Sequence, residues 1–163
     1  MVNVEAREWW EASQRREVRD AVERIHQQLA DEVRLHKPLC LASGSCCRFD
    51  EFEHRLYATG LEATLALDIC SQEGRGIGAE DVASARQRGG CPWQEGRLCT
   101  ARRGRPVGCR VFFCDPRLSE WVPQLAEWAH GAIKRVHEEF QVPYSYGEWR
   151  DMLEQAIAAR ELR

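Results

Sequence analysis

Val18-Arg19-Asp20-Ala21-Val22-Glu23-Arg24-Ile25-His26-Gln27-Gln28-Leu29-Ala30-Asp31-Glu32-Val33 is the stretch that decides the fold class. Val18, Ala21, Val22, Ile25, Leu29 and Val33 recur at steps of three and four, which places them on one face of a helix. The pattern predicts one long amphipathic helix from about Glu5 to Lys37. Pro38 ends it, because the residue before a proline is driven out of the helical region.

Working outward, the same period returns near the other end. Ser119 is expected to cap a helix whose inward face is Trp121, Leu125, Trp128, Ala132, Val136 and Phe140, with Pro123 in its first turn. Pro143 breaks that helix. Ser145-Tyr146-Gly147-Glu148 then has capping-box spacing, and Trp149, Met152, Leu153, Ala156 and Ile157 form the face of a final helix. In the middle, Arg55 to Ala58 suits an extended segment, and Thr59-Gly60-Leu61-Glu62 has the spacing of a capping box opening a helix through about Cys70. A loop from Gly74 to Gly78 follows. A short helix from about Ala79 to Arg88 turns Val82 and Ala85 inward and stops at Gly89-Gly90. The expectation is a mainly α, single small helical domain over 1–163 with irregular cysteine-rich loops forming a metal site. Its parts are an N-terminal helix (1–37), a cysteine-cluster region (38–116) and a C-terminal helical pair (117–163).

A chain of 163 residues suits one core, and 44% hydrophobic residues with six tryptophans can build it without relying wholly on a metal. The net charge of -3 provides no basic field, so no nucleic-acid partner is expected. No apolar run is long enough for a membrane span. The start, Met1-Val2-Asn3-Val4-Glu5, lacks the basic and apolar regions of a secretory signal, which gives the expectation of a cytoplasmic protein. In that compartment eight cysteines point to metal or redox chemistry rather than disulfides, and the adjacency of Cys46 and Cys47 argues the same way.

Seven of the eight cysteines fall in two loop-like segments: Cys40, Cys46 and Cys47, then Cys91, Cys99, Cys109 and Cys114. Buried structural cysteines sit on helix faces, whereas ligating thiolates need a glycine-containing backbone that turns several sulfurs toward one point. Gly44, Gly96, Gly104 and Gly108 supply it. Cys70, beside Leu67 and Ile69, reads as core. Arg102, Arg103, Arg105 and Arg110 are woven among the later thiols, where guanidinium charge offsets that of a thiolate-rich centre and lowers thiol pKa values.

Cys40 to Cys47, Cys91-Pro92, Cys99 and Arg105-Pro106-Val107-Gly108-Cys109-Arg110-Val111-Phe112-Phe113-Cys114 together resemble the CxxCxxCC-type cysteine-cluster proteins of the YkgJ family, described as a zinc- or iron-chelating domain. The resemblance covers about Cys40 to Cys114 and implies a metal centre. The chain departs from the pattern at Ser43, which stands where such proteins often carry a cysteine before Gly44. A hydroxyl is a poor ligand for a soft metal, so the ligand count is put in question.

The intervals between successive cysteines within the two segments are five, none, seven, nine and four residues, without the short C-x2-C knuckle of zinc ribbons. On spacing and ligand softness an iron–sulfur cluster, [4Fe–4S] first, is favoured over zinc. Three functions stand open: a cluster protein with a redox or accessory role, a structural zinc module acting as a scaffold for a protein partner, and an enzyme. The last follows from a similarity of the cysteine cluster to that of flagellin lysine methylases, which implies only that such a centre can accompany methyl transfer. No catalytic residues are assignable from sequence. His54 and His36 flank the first cysteine segment and are secondary ligand candidates, followed by His130 and His137. Gly74-Arg75-Gly76-Ile77-Gly78 lacks the ending of a phosphate loop and reads as a connector. Trp9 and Trp10, at the start of a polar helix, are candidates for a partner-docking surface.

Overall fold

The computed structural model describes residues 3–39 and 44–162. Its first helical region is two helices, α1 (Val4–Gln14) and α2 (Arg16–His36), rather than one. The break is Arg15, whose backbone is extended at φ -76° and ψ 122°. Its cause lies in Trp9 and Trp10. Both are buried, with Trp9 Nε1 donating to the Pro143 carbonyl at 3.0 Å and Trp10 Nε1 to the Ala156 carbonyl at 2.7 Å. Burying two adjacent indoles turns α1 onto a different course from α2, whose own buried stripe is Val18, Ala21, Val22, Ile25 and Leu29. The docking surface expected at Trp9 and Trp10 is therefore core.

The tryptophans pack on the centre of the fold. The short strands β1 (Tyr57–Thr59) and β4 (Tyr146–Glu148) pair antiparallel, Tyr57 opposite Glu148 and Thr59 opposite Tyr146. Each leads directly into a helix, β1 into α3 (Gly60–Gln72) and β4 into α7 (Trp149–Arg160). The ribbon thus yokes two helices that are distant in sequence. Gly60 lies under the Trp9 ring, where an added Cβ would meet ring atoms at 2.3 Å. Thr59 and Glu62 form the expected capping box of α3. The capping box expected at Ser145 does not form, because 146–148 is committed to the strand pair. Glu148 itself caps α7, accepting from the amides of Arg150 and Asp151.

The short helix α4 (Ala79–Gln87) packs on α7, held by Arg86, which pairs with Asp151 and with Glu154 at 2.9 Å. The hairpin β2 (Gln94–Glu95) and β3 (Leu98–Cys99), and a single helical turn α5 (Val107–Arg110), lie in the cysteine region. The last long helix, α6 (Trp121–Glu139), packs on α2. Ser119 does not cap it; it closes a 3-10 turn over Pro116–Leu118. The buried face of α6 is Leu125, Ala129, Ala132, Ile133, Val136 and His137, turned from the expected one so that Trp128 is 38% exposed. The described residues form a mainly helical, single small domain. None of the described helices is long and apolar enough to cross a membrane.

Candidate functional site

Three pieces of chain bring cysteines together, and each is shaped by identifiable backbone contacts. The first runs from Gly44, whose φ of +71° opens a turn in which the Cys47 amide donates to the Gly44 carbonyl at 3.0 Å. The second begins at Cys91, whose amide donates to the Cys47 carbonyl at 3.0 Å, while the Asp50 amide donates to the Gly89 carbonyl at 3.0 Å. The two segments are thus strapped together by main chain. The β2–β3 hairpin then returns Cys99 to the same place, with Gly96 at φ +60° in its turn and the Thr100 amide donating to the Trp93 carbonyl at 2.9 Å.

The third piece is α5, which carries Cys109. Its position depends on Glu62. One oxygen of that buried carboxylate serves the α3 cap, and the other accepts the Val107 amide at 2.9 Å. Arg110, largely buried and pushed down to about 10 by that burial, donates to the carbonyls of Arg105 and Arg103, both at 2.8 Å, and braces the preceding turn.

Cys46, Cys47, Cys91, Cys99 and Cys109 line one void of about 20 Å³, walled also by Trp93, Ala101, Pro106 and Trp149. The Cys46 and Cys47 sulfurs are 3.8 Å apart. The Cys47 thiol also lies within hydrogen-bonding reach of Cys91 and Cys99. It keeps its proton far above the usual thiol range, because Cys46, Cys91 and Cys99 all accept from it. They move the opposite way: the Cys47 thiol lowers Cys46 to about 7, Cys99 to about 6, and Cys91 as well. Arg105 lowers Cys46 and Cys99 further, and Arg102 adds to the effect on Cys99. Cys109, half-buried, is raised by burial. Of the four interleaved arginines, Arg102 and Arg105 thus act on the thiols as their placement suggested, whereas Arg103 pairs with Glu73 and Arg110 with backbone carbonyls.

The remaining sequence candidates divide. Cys114 is exposed and lies on a shallow outer groove that also reaches Cys46, Cys47 and Cys99, its sulfur 3.4 Å from Ser45 Oγ. Cys40 and Ser43 lie outside the described residues. Cys70 is fully buried in α3 and does not line the void, although its sulfur packs against Gly104, which does, and burial lifts it to about 12. His54 is held among aromatic rings, 4.4 Å from that of Phe112, and His36 stacks on Trp121 at 4.0 Å. His137 bonds the carbonyls of Val142 and Pro143. None of these histidines lines the void. Among the described residues, no group of three or more Cys, His, Asp or Glu side chains is arranged to hold a metal ion. Five thiols share one void without forming such a group.

Sequence reading missed Trp149 as a site residue, since it counts equally well as one position on the face of α7. Its buried indole N–H makes no hydrogen bond of ordinary geometry among the described residues, but it lies near enough to Cys91 to help lower that thiol. Trp93, by contrast, lies two residues after Cys91 and was within reach of inference. Comparison of the chain with models of protein families, with curated proteins and with solved structures found no match.

Proposed function

We propose that the chain binds one soft divalent cation, zinc first, through the thiolates of Cys46, Cys47, Cys91 and Cys99, and that this centre organises the cysteine loops as a scaffold for a protein partner. The observation that carries the reading is the packing of these thiols around Cys47 on an ion-sized void. A zinc–sulfur bond of about 2.3 Å places two sulfurs of a tetrahedral site about 3.8 Å apart, which is the separation of Cys46 and Cys47. A void of about 20 Å³ admits one water-sized species. A cubane would need a larger space, with its four thiolates on different irons and farther apart. These dimensions are why zinc is put first here, ahead of the cluster that cysteine spacing alone suggests.

The chemistry of the donors supports a closed, structural centre. Four thiolates on a divalent ion leave two net negative charges, and Arg102 and Arg105 lie where they offset them. The Trp149 N–H is placed to donate to the Cys91 sulfur, as groups around metal ligands commonly do. Four protein thiolates would fill a tetrahedral shell, leaving no open coordination position of the kind catalytic zinc keeps. The resemblance of Cys40–Cys114 to the YkgJ-type chelating domain points to the same class of function.

Metal analysis of untagged protein purified anaerobically tests the reading. About one zinc per chain in a colourless protein is expected. A brown protein carrying iron and sulfide would replace zinc with a cluster. A folded protein that takes up neither metal would remove the metal-binding reading altogether.

A further inference from the structure

We infer that the cavity between α2, α3 and residues 103–106 is a binding site for a small zwitterion, an α-amino acid with an apolar side chain. The cavity measures about 280 Å³, at the lower edge of small-molecule sites. It is separate from the thiol void but shares a wall with it, since Gly104, Arg105 and Pro106 line both.

Its polar groups fall into two sets. Arg19 is ion-paired with Asp68 at 2.7 Å and Arg103 with Glu73 at 2.8 Å. Glu62 accepts from Thr59 N, Thr59 Oγ1 and Val107 N. Asp20 faces Arg16 at 3.6 Å. Those groups are committed. Glu23, among the described residues, forms no hydrogen bond or ion pair. Arg105 uses only Nε, which donates to the Arg102 carbonyl at 3.2 Å, so both terminal nitrogens are free. The buried Nε2 of His26 has no partner.

The cavity thus offers the terminal nitrogens of Arg105 and the carboxylate of Glu23, free of hydrogen bonds although their charges also act on Cys46, Cys99 and Arg110, and an unpartnered imidazole nitrogen, beside an apolar wall that includes Leu65 and Ile69. His26 is neutral, because burial and the nearby guanidinium groups of Arg110 and Arg105 oppose its protonation. A ligand carboxylate is matched by the fork of Arg105 and by an Nε2–H of His26. Its ammonium group is matched by Glu23, and its side chain by the apolar wall. A plain anion would meet Glu23 and a plain cation would meet Arg105, so the pairing selects a molecule carrying both charges.

Calorimetric titration of the full chain tests this, with L-leucine, L-methionine and L-valine as amino-acid probes. 4-Methylpentanoate and 3-methylbutylamine each lack one charge of leucine. At least one amino acid is expected to bind, about tenfold or more tighter than either single-charge analogue. Glu23→Gln should weaken amino-acid binding about tenfold without weakening 4-methylpentanoate, and Ile69→Phe should abolish binding by filling the cavity. Glu23 is exposed, so that variant keeps the test open should Ile69→Phe misfold. Metal content, measured on every sample, separates this inference from the metal reading. Absence of binding by all three amino acids, equal binding of the single-charge analogues, or an unchanged affinity in Glu23→Gln would each overturn it.

Discussion

The Glu62 carboxylate accepts the Val107 amide at 2.9 Å while its other oxygen accepts the Thr59 amide at 2.9 Å. One buried side chain thereby closes the first turn of α3 and fixes the turn that carries Cys109. The helical frame and the cysteine loop meet at that carboxylate.

Glu62→Ala should therefore act on both. It leaves the buried Val107 and Thr59 amides without acceptors, costing about 1–3 kcal/mol for an unsatisfied group, and it frees α5. A lower urea midpoint, together with reduced metal content, is the expected result. Glu62→Gln retains one carbonyl acceptor and should lose less of both. Full metal occupancy in the destabilised alanine variant would mean that α5 does not hold the thiol cluster in place.

The thiols separate by geometry as well. Replacing Cys46, Cys47, Cys91 or Cys99 with Ser exchanges a soft thiolate for a hydroxyl that stays protonated, and each variant should lose the metal. Cys70→Ser and Cys114→Ser should keep it, the first at a cost of about 1–3 kcal/mol for burying a hydroxyl. Cys109→Ser is the sharpest case, because Cys109 lines the void yet is absent from the proposed four. It should lose stability and keep the metal. Metal per chain across the series decides the ligand set, and loss in Cys109→Ser would move that residue into it.

Much of this was legible in the sequence, and the misses share a cause. The period of Val18 to Leu29, the Thr59–Glu62 cap and the face of Trp149 to Ile157 are local patterns, and the structure keeps them. The break at Arg15, the strand at Tyr146 and the rotation of α6 depend on partners far along the chain. Trp10 meets Ala156, Tyr146 meets Thr59, and α6 turns to lie on α2. No window of neighbouring residues contains those contacts. Within the site, the two cysteine segments were readable from their residues, but which thiols share a void is settled by the main-chain strap between Cys47 and Cys91.

His26 gives the fold a pH dependence of definite sign. Burial first, then the charges of Arg110 and Arg105, depress it from 6.5 to about 3. The unfolded chain therefore binds a proton between those values that the folded chain refuses. By linkage, the contribution of His26 is fully present above about pH 6.5 and is lost as pH falls toward 3. His54 and His137 are shifted the same way by burial. Chelator-treated protein, so that metal release does not enter, should show urea midpoints falling between pH 7 and pH 5. His26→Asn should flatten that slope. An equally steep slope in the variant would mean that His26 titrates freely in the folded protein.

Removing the metal should loosen the loops and spare the frame. The β1–β4 ribbon and the indole hydrogen bonds of Trp9 and Trp10 that close the frame around α3 and α7 use no cysteine of the void, although Cys47 and Cys91 belong to the apolar core. Residues 44–50 and 89–110 are held otherwise. Their regular structure amounts to a two-residue hairpin and single turns, so the void they enclose depends on what draws the thiols together. Local opening then has a lower free energy than global unfolding, and amide exchange reports the two separately. After chelation, exchange should speed up across 44–50 and 91–110 while the amides of α1, α3 and α7 keep their protection. Uniform loss of protection would make the metal part of the global core. No change in the loops would leave the main-chain strap, rather than an ion, as what holds the five thiols on one void.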